Sequence, residues 1–439
     1  MREGLYDDSS IDSIYAFAKE LTGKSLLEAV GLPEKVVNKL SRGALGNMVE
    51  EFYFGFKPNS EHRPDFPLAN LELKITGVKA NARKQFVAKE RLVLTMINFE
   101  DIVGETWETS SLVFKCRLML ILFYLYDREQ ADVDRRFVLD PMIYDLFRHD
   151  AEIIERDWRA IQSKVIDGKA HELSEGDTFY LGACRKGSGG PNEKLRKQPF
   201  SRKLAKARAF SFKQTYLTQL IQGHETDAYL YRPGSTIEES TKLKFEPFIG
   251  NTIDELSQKL GHFKRDKNHK SFNRELAEKM LGANPQDVAE LAKADIEMKT
   301  VRMKSTGVPR ESMSFPTFKY LDIVQQNWED SKFFERIERK FLFVVYEIGS
   351  DGIERLKKVA YWNMPFADRL EAQRVWEQTK HRVAIDAKNL PKESESHVAH
   401  VRPKASNANQ RNMSPQGEML GNKCFWLNRK YIGQVIAEI

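Results

Sequence analysis

Asp65, Glu72 and Lys74 are the residues of this sequence whose types and spacing suit chemistry. Residues two apart on a strand project from one face, ~7 Å apart along the backbone. Leu71, Leu73 and Ile75 alternate with Glu72, Lys74 and Thr76, the period-two pattern of a half-buried strand. Asp65 lies just before, where a turn can return its carboxylate to the same place. Two carboxylates and a lysine on one sheet face suit metal-assisted hydrolysis of a phosphodiester. Carboxylates hold Mg²⁺ through hard oxygen ligands at about 2.1 Å. The ion lowers the pKa of a bound water and neutralises charge on the phosphate. A lysine orients the attacking water or stabilises the pentacovalent transition state. The D-x6-E-x-K pattern is loose, and an exposed edge strand with alternating charges is the rival reading. Two neighbours favour hydrolysis: Lys79, Arg83, Lys84, Lys89 and Arg91 follow the strand, and Glu50-Glu51 precede it on a helix.

Several elements must position these groups. The first 45 residues read as helical, with Leu26, Leu27 and Val30 on one face and Val36, Val37 and Leu40 on another. A further helix runs through Met48, Val49 and Phe52 to Gly55, followed by a polar turn. Strands are predicted at Leu92–Ile97 and Leu118–Tyr126, a helix around Ile153–Val165, and a strand then a helix in RAFSFKQTYLTQLI.

Composition narrows the class. The 439 residues are 41% hydrophobic and 30% charged, which predicts a soluble globular protein of two or three domains. No stretch reaches the ~18 apolar residues of a membrane helix, and the start lacks an apolar signal core. Cys116, Cys184 and Cys424 lie far apart, which argues for a reducing compartment and against a disulfide scaffold or zinc finger. The cytoplasm is the expected location, with no membrane partner. Net charge is only +6, yet Arg185 to Lys213 holds ten Lys/Arg against one acid, Glu193. A basic strip of this kind is the footprint of a polyphosphate partner.

The second half repeats the first. Gly23-Lys-Ser has a counterpart in Gly250-Asn-Thr, and Gly55 in Gly282, both at an offset of 227. Glu72 matches Glu297 at 225, Trp158 matches Trp376 at 218, Arg185 matches Arg402 at 217 and Phe210 matches Phe425 at 215. Ordered, slowly drifting offsets predict a duplicated domain. The boundaries are set at 1–225 for the N-terminal domain, 226–244 for a linker around Pro233-Gly234, and 245–439 for the C-terminal domain.

Gly46-Asn-Met-Val-Glu50, Phe54-Gly55, Pro64-Asp65-Phe66, Glu72-Leu-Lys74 and Trp107-Glu-Thr-Ser110 with Lys115 resemble the mismatch-repair nickase MutH. They are more similar still to the related two-domain type II restriction endonucleases that cut GATC. Lys89-Glu-Arg-Leu-Val-Leu, Lys169-Ala-His-Glu-Leu-Ser-Glu-Gly and Glu311-Ser-Met-Ser-Phe extend that second match. Val401-Arg-Pro-Lys-Ala-Ser-Asn-Ala408 and Phe425-Trp-Leu also resemble MutH. The resemblance implies an α/β fold of two tandem restriction-endonuclease-like domains, each a mixed β-sheet flanked by helices. It implies that Asp65 and Glu72 ligate the metal, that Glu50 helps organise it, and that Lys74 and Lys115 act at the scissile phosphate. Counting back from Phe54-Gly55, or from the repeat match to Glu278, favours Glu51 over Glu50, so that choice stays open.

In the second domain Glu278, Glu290, Glu297 and Lys299 form a degenerate counterpart. Glu290, seven before Glu297, stands for Asp65. Its extra methylene displaces the carboxylate by over an ångström, which a hydrolytic site tolerates poorly. This site is expected to be silent or weak, and the resemblance implies a half that binds DNA without cutting.

Gly182 to Gly190 is glycine-rich but lacks the G-x-x-x-x-G-K-[ST] pattern, so no nucleotide cofactor is expected. The resemblance implies that this loop, with Arg185, Lys186 and Gly187, enters the major groove, where Arg or Lys donates to guanine O6 and N7. Arg402, Pro403, Lys404 and Asn407 occupy the corresponding place. Ser211 and Trp426 stand where the nickase has a tyrosine used in base recognition, and Lys213 ends the basic strip. For each basic residue, phosphate contact or solvation is the alternative. The leading expectation is a Mg²⁺-dependent restriction endonuclease acting on double-stranded DNA at GATC or a near relative, self-associating on DNA. The alternatives are a strand-nicking repair endonuclease and a catalytically silent DNA-binding or regulatory protein.

Overall fold

The computed structural model describes residues 4–31, 45–58, 62–148, 150–187, 193–223, 234–261, 272–282, 291, 293–404 and 410–439. Val36, Val37 and Leu40, Glu290 and Asn407 therefore lie outside the described residues. The chain divides into two compact units, broadly the residues up to 225 and those from 226 onward.

The first unit contains β1 (Glu72–Ala80), β2 (Phe86–Ala88), β3 (Leu92–Met96), β4 (Leu118–Leu125) and β5 (Met142–Asp145). β6 (Leu181–Arg185), β7 (Arg196–Gln198), β8 (Ser201–Ala205) and β9 (Arg208–Phe212) follow. They form a sheet in the order β2-β1-β4-β5, a second in the order β3-β9-β6, and the hairpin β7-β8. β1 and β4 are parallel, from Glu72 opposite Met119 to Val78 opposite Leu125, so the chain between them crosses over through β2, β3 and two short helices. Met119 to Phe123 are all buried, as a continuous apolar run in a parallel strand demands. The helix Ala151–Ile166 buries Ile154, Trp158, Ile161 and Val165 at helical spacing. Its Asp157 carboxylate accepts the backbone N–H groups of Phe179, Tyr180 and Leu181 at 2.8, 2.6 and 2.9 Å, fixing the start of β6.

One expectation is corrected here. β1 is not half-buried: Glu72 is 2% and Thr76 4% exposed. The face carrying Glu72, Lys74 and Thr76 is itself covered, by β3 and the helix Ser111–Cys116, so its charges sit inside the unit.

The second unit contains β10 (Glu297–Lys304), β11 (Met313–Phe318), β12 (Phe341–Ile348), β13 (Glu354–Trp362), β14 (Ala399–Pro403), β15 (Arg411–Met413), β16 (Met419–Gly421) and β17 (Lys423–Leu427). The sheets are β10-β12-β13 and β11-β17-β14, with a β15-β16 hairpin. β10 and β12 are parallel, and β12 and β13 antiparallel, as are β1 with β4 and β4 with β5. The topology of the first unit thus recurs, and β2 is the strand without a counterpart among the described residues. Residues 237–244, expected as linker, belong to the helix Ile237–Phe245. A Thr236–Glu239 capping box starts it, and Ile237, Thr241 and Phe245 are buried.

Among the described residues no helix is long and apolar enough to cross a membrane. The three cysteines are free and buried.

Candidate active site

A tight turn explains the six-residue gap between Asp65 and Glu72. Phe66 and Leu71 pair as an antiparallel bridge, with N–H donated each way at 2.9 and 3.2 Å. Asn70 takes the left-handed conformation, φ 50°, that closes it. Asp65 and Glu72, the next residues outward, are thereby set side by side. Two backbone contacts lock the arrangement: the Asp65 N–H donates to Glu72 Oε2 at 3.2 Å, and the Leu73 N–H, one residue past Glu72, to Asp65 Oδ2 at 3.0 Å.

Lys74 Nζ donates to Glu72 Oε1 and to the Leu94 carbonyl of β3, both at 2.7 Å. Lys115, on the helix Ser111–Cys116 that Ser110 caps, brings its Nζ to 3.7 Å from the same Glu72 oxygen. Glu50 comes from the other side. The helix Leu45–Met48 widens into a π-helical turn, Val49–Phe54, ended by Gly55 at φ 87°, and such turns recur at functional sites. Phe54 of that turn packs edge-on to Phe66 with ring centroids 5.2 Å apart, which ties the Glu50 helix to the Asp65 turn. Glu50 is partly buried and Glu51 exposed, so of the two it is Glu50 that the fold turns toward Asp65 and Glu72.

The electrostatics show how acidic the cluster is. Burial, with the charges of Asp65 and Glu72, pushes the Glu50 pKa up to about 7. Burial pushes Glu72 up to about 7 as well, with Lys74 pulling it down and Asp65 adding to the rise. Burial opposes charge on Lys74, but its neighbours, Cys116 first and then Glu72 and Asp65, outweigh it and hold its pKa above the usual lysine range. Cys116 backs the site as a neutral thiol, pushed up to about 12 by burial. The cluster is short of positive charge, and its donors are all hard carboxylate oxygens, the set that suits a small divalent cation. Among the described residues no three carboxylate, histidine or cysteine groups already converge on one point, and Lys74 occupies Glu72 Oε1. The residues fit such an ion in chemistry and charge.

Beside Lys74 and Thr76 lies a cavity of about 410 Å³, lined also by Arg91, Cys184, Arg185 and Lys186. Arg185 ends β6 and Gly187 follows at φ 138°, a conformation that favours glycine. The basic loop residues therefore share a recess with the catalytic lysine candidate. Ser211 and Lys213 do not. Ser211 is fully buried in β9 between β3 and β6. Lys213 is 4% exposed and donates to the Thr178 carbonyl at 2.6 Å. Both were expected at the DNA surface and both face the interior, Ser211 because β9 is the central strand of its sheet and Lys213, just past β9, because its ammonium group is held by the Thr178 carbonyl.

The second unit rebuilds the same corner with a different balance. Lys299 Nζ lies 2.7 Å from Glu297 Oε1, and Arg336 reaches Glu297 Oε2 at 3.4 Å. Burial raises the Glu297 pKa, but Lys299, Arg336 and Arg339 outweigh it and hold it below the usual carboxylate range. Glu278 pairs with Arg274 at 2.9 Å, one turn away on its own helix. Arg336 and Arg339 were missed in the sequence. The signal was available: Arg336 is the fifth residue of the helix Lys332–Ile337, as Lys115 is of Ser111–Cys116. Nearby, the Arg402 guanidinium stacks 3.8 Å over the ring of Trp426, whose buried Nε1 has no hydrogen-bond partner among the described residues. Lys404 Nζ donates to the Phe315 carbonyl at 2.8 Å.

A carboxylate pair and two ammonium groups at the start of a parallel strand pair, in a strand arrangement that recurs in the second unit with Glu297 and Lys299, suit a MutH-type DNA nuclease. The family described as DNA mismatch repair enzyme MutH matches residues 54–157 and again 281–371. Over 95% of its length the chain is 32% identical to the type II restriction enzyme Sau3AI of Staphylococcus aureus, 92% of which is covered. It is 24% identical to the DNA mismatch repair protein MutH of Shewanella woodyi, over 38% of this chain and 72% of that protein. It is 25% identical to MutH of Vibrio parahaemolyticus, over 37% and 72%. The chain belongs to the MutH-related type II restriction endonucleases, enzymes that act on DNA.

Proposed function

We propose that this chain hydrolyses unmodified double-stranded DNA at GATC or a closely related site, with Mg²⁺, in host restriction in the cytoplasm. The observation that carries the proposal is the acidic excess around Asp65, Glu72 and Glu50, set against Lys74 and Lys115. Asp65 and Glu72 hold the ion and Glu50 completes its surroundings. When bound, the ion supplies an activated water and neutralises charge on the phosphate. Lys74, fixed by Glu72 and the Leu94 carbonyl, presents its remaining N–H to the attacking water or to a phosphate oxygen. Lys115 places a second ammonium group against the charge that grows as the P–O bond breaks. Both lysines are held before substrate arrives, so little reorganisation is spent at the moment of reaction.

Arg185, Lys186 and Gly187 face the DNA groove from the recess beside Lys74. Arg402, Pro403, Lys404 and Trp426 do the same in the second unit, which grips DNA without cutting. Arg336 and Arg339 support that silence, because they supply at Glu297 the positive charge a metal would bring. One competent centre cuts one strand per encounter, so a double-strand break needs two chains or two successive nicks. DNA-promoted association follows, and cleavage per enzyme should rise with enzyme concentration.

Plasmid incubated with Mg²⁺ tests the reading. Discrete fragments are expected, nicked circles alone would indicate the repair-type nickase, and no cutting would indicate a silent DNA-binding protein. Asp65→Ala should lower cleavage on the order of 10³-fold, the scale for losing a group that stabilises developing charge. Binding in Ca²⁺ should persist. Retained cleavage would refute the site.

A further inference from the structure

The β7-β8 hairpin carries a feature that the cleavage chemistry does not use. Its two-residue turn is Pro199-Phe200, with Gln198 opposite Ser201. Phe200 is 75% exposed, and it sits at φ 59°, a turn position that ordinarily goes to glycine or asparagine. A large ring is thus held in water on a disfavoured backbone. Strain of this kind persists where the surroundings over-determine it, and it gathers at ligand-contacting sites.

The surroundings do over-determine it. Gln198 is buried, accepting the Ala170 N–H at 2.7 Å and donating to the Lys203 carbonyl at 2.6 Å. Gly168, just past the helix Ala151–Ile166, leaves room for the turn: a Cβ there would stand 2.7 Å from the Phe200 carbonyl oxygen. The hairpin is a braced finger. Arg196, Lys197, Arg202 and Lys203 surround the tip, all exposed, and none forms an ion pair with a described residue. The hairpin also grows from the end of the β3-β9-β6 sheet that carries Arg185: Arg185 is opposite Arg208, and the Lys186 N–H donates to the Ala207 carbonyl.

We propose that this hairpin is a second contact with duplex DNA, independent of sequence, in which the Phe200 ring inserts at a base step. Arg196, Lys197, Arg202 and Lys203 hold the two flanking backbones. Apolar wedges partly unstack a step and let the duplex follow the protein surface, and a ring face is tolerant of every base. Four cations that form no ion pair with a described residue complement the phosphates on either side. The inference rests on the assignment of the chain to DNA nucleases and adds to it a residue that no part of the catalytic cluster requires.

The test compares wild type, F200A, F200G and R202Q/K203Q for binding to 30-base-pair duplexes with and without GATC, in Ca²⁺. F200A and F200G should bind both duplexes about tenfold more weakly, equivalent to about 1.4 kcal/mol. F200G should melt no lower than wild type, because glycine suits the turn, which separates lost contact from lost fold. R202Q/K203Q should flatten the dependence of log K on log salt by about 2, near 0.9 per phosphate. A duplex carrying 2-aminopurine should brighten with wild type and not with F200A. Unchanged affinity and fluorescence for F200A would overturn the proposal. So would a loss confined to the GATC duplex, or a change in self-association without a change in DNA affinity. If wild type itself binds neither duplex, the nuclease reading fails instead.

Discussion

Glu50→Gln probes the acidic cluster through stability alone, without any assay of cutting. The Glu50 pKa is raised from 4.5 to about 7, first by burial and then by Asp65 and Glu72. At 1.36 kcal/mol per pH unit that displacement is worth about 3 kcal/mol. The side chain is only partly buried, and solvent screening reduces this to roughly 1–2 kcal/mol. The folded protein holds this proton to higher pH than the unfolded chain does. Stability is therefore greatest below about 4.5, declines as pH rises through about 7, and carries the full penalty above that. Glutamine keeps the shape and removes the charge. In chelator at pH 8, E50Q should gain about 1–2 kcal/mol in urea unfolding of the first unit. Near pH 4.5 the gain should vanish. Glu51→Gln, at an exposed position, should change stability by less than about 0.5 kcal/mol at either pH. Ca²⁺ at pH 8 should stabilise wild type more than E50Q, because the ion answers the repulsion the substitution has already removed. Equal stability of E50Q and wild type in chelator at pH 8, or a gain for E51Q instead, would refute the reasoning.

Glu297→Gln should behave oppositely. Glu297 is held below its usual range by Lys299, Arg336 and Arg339 despite its burial, so its contribution is present above about pH 4.5 and lost as pH falls through the lower folded value. The substitution should cost roughly 1–3 kcal/mol at pH 8 and leave cleavage within about threefold, read by urea unfolding and plasmid digestion. Gly168→Ala places a Cβ against the Phe200 carbonyl at a position with φ 69°, and should lower stability by roughly 1–3 kcal/mol. Lys115→Met should cut kcat more than KM, because its ammonium group reaches Glu72 without forming part of the fold's core. Equal losses in both constants would place Lys115 in substrate binding instead.

Strand alternation over 71–76, the apolar run at 118–126 and the drifting repeat offsets were enough to place two strands and the duplication, and the spacing of Asp65, Glu72 and Lys74 singled out the candidate site. These signals are local, and each is written in residue type and period. Burial of the charged face was not legible. Alternation predicts water on one side of a strand, and only packing of β3 and the helix Ser111–Cys116 across Glu72 and Lys74 replaces that water with protein. The same limit misplaced Ser211, whose strand turned out to be central, and Lys213, which follows that strand and turns inward to the Thr178 carbonyl, although the chemistry of both suits a DNA surface. It hid Arg336, which lies 39 positions from the Glu297 it neutralises.

In this protein, then, the amino-acid string set out which donors exist and that they occur twice. It left open which copy keeps a surplus of negative charge, since charge balance at a buried point sums over side chains brought together from distant positions. The choice between Glu50 and Glu51 was open for the same reason. Adjacent residues on a helix point about 100° apart, and the contact of Phe54 with Phe66 is what aims one of them at the site.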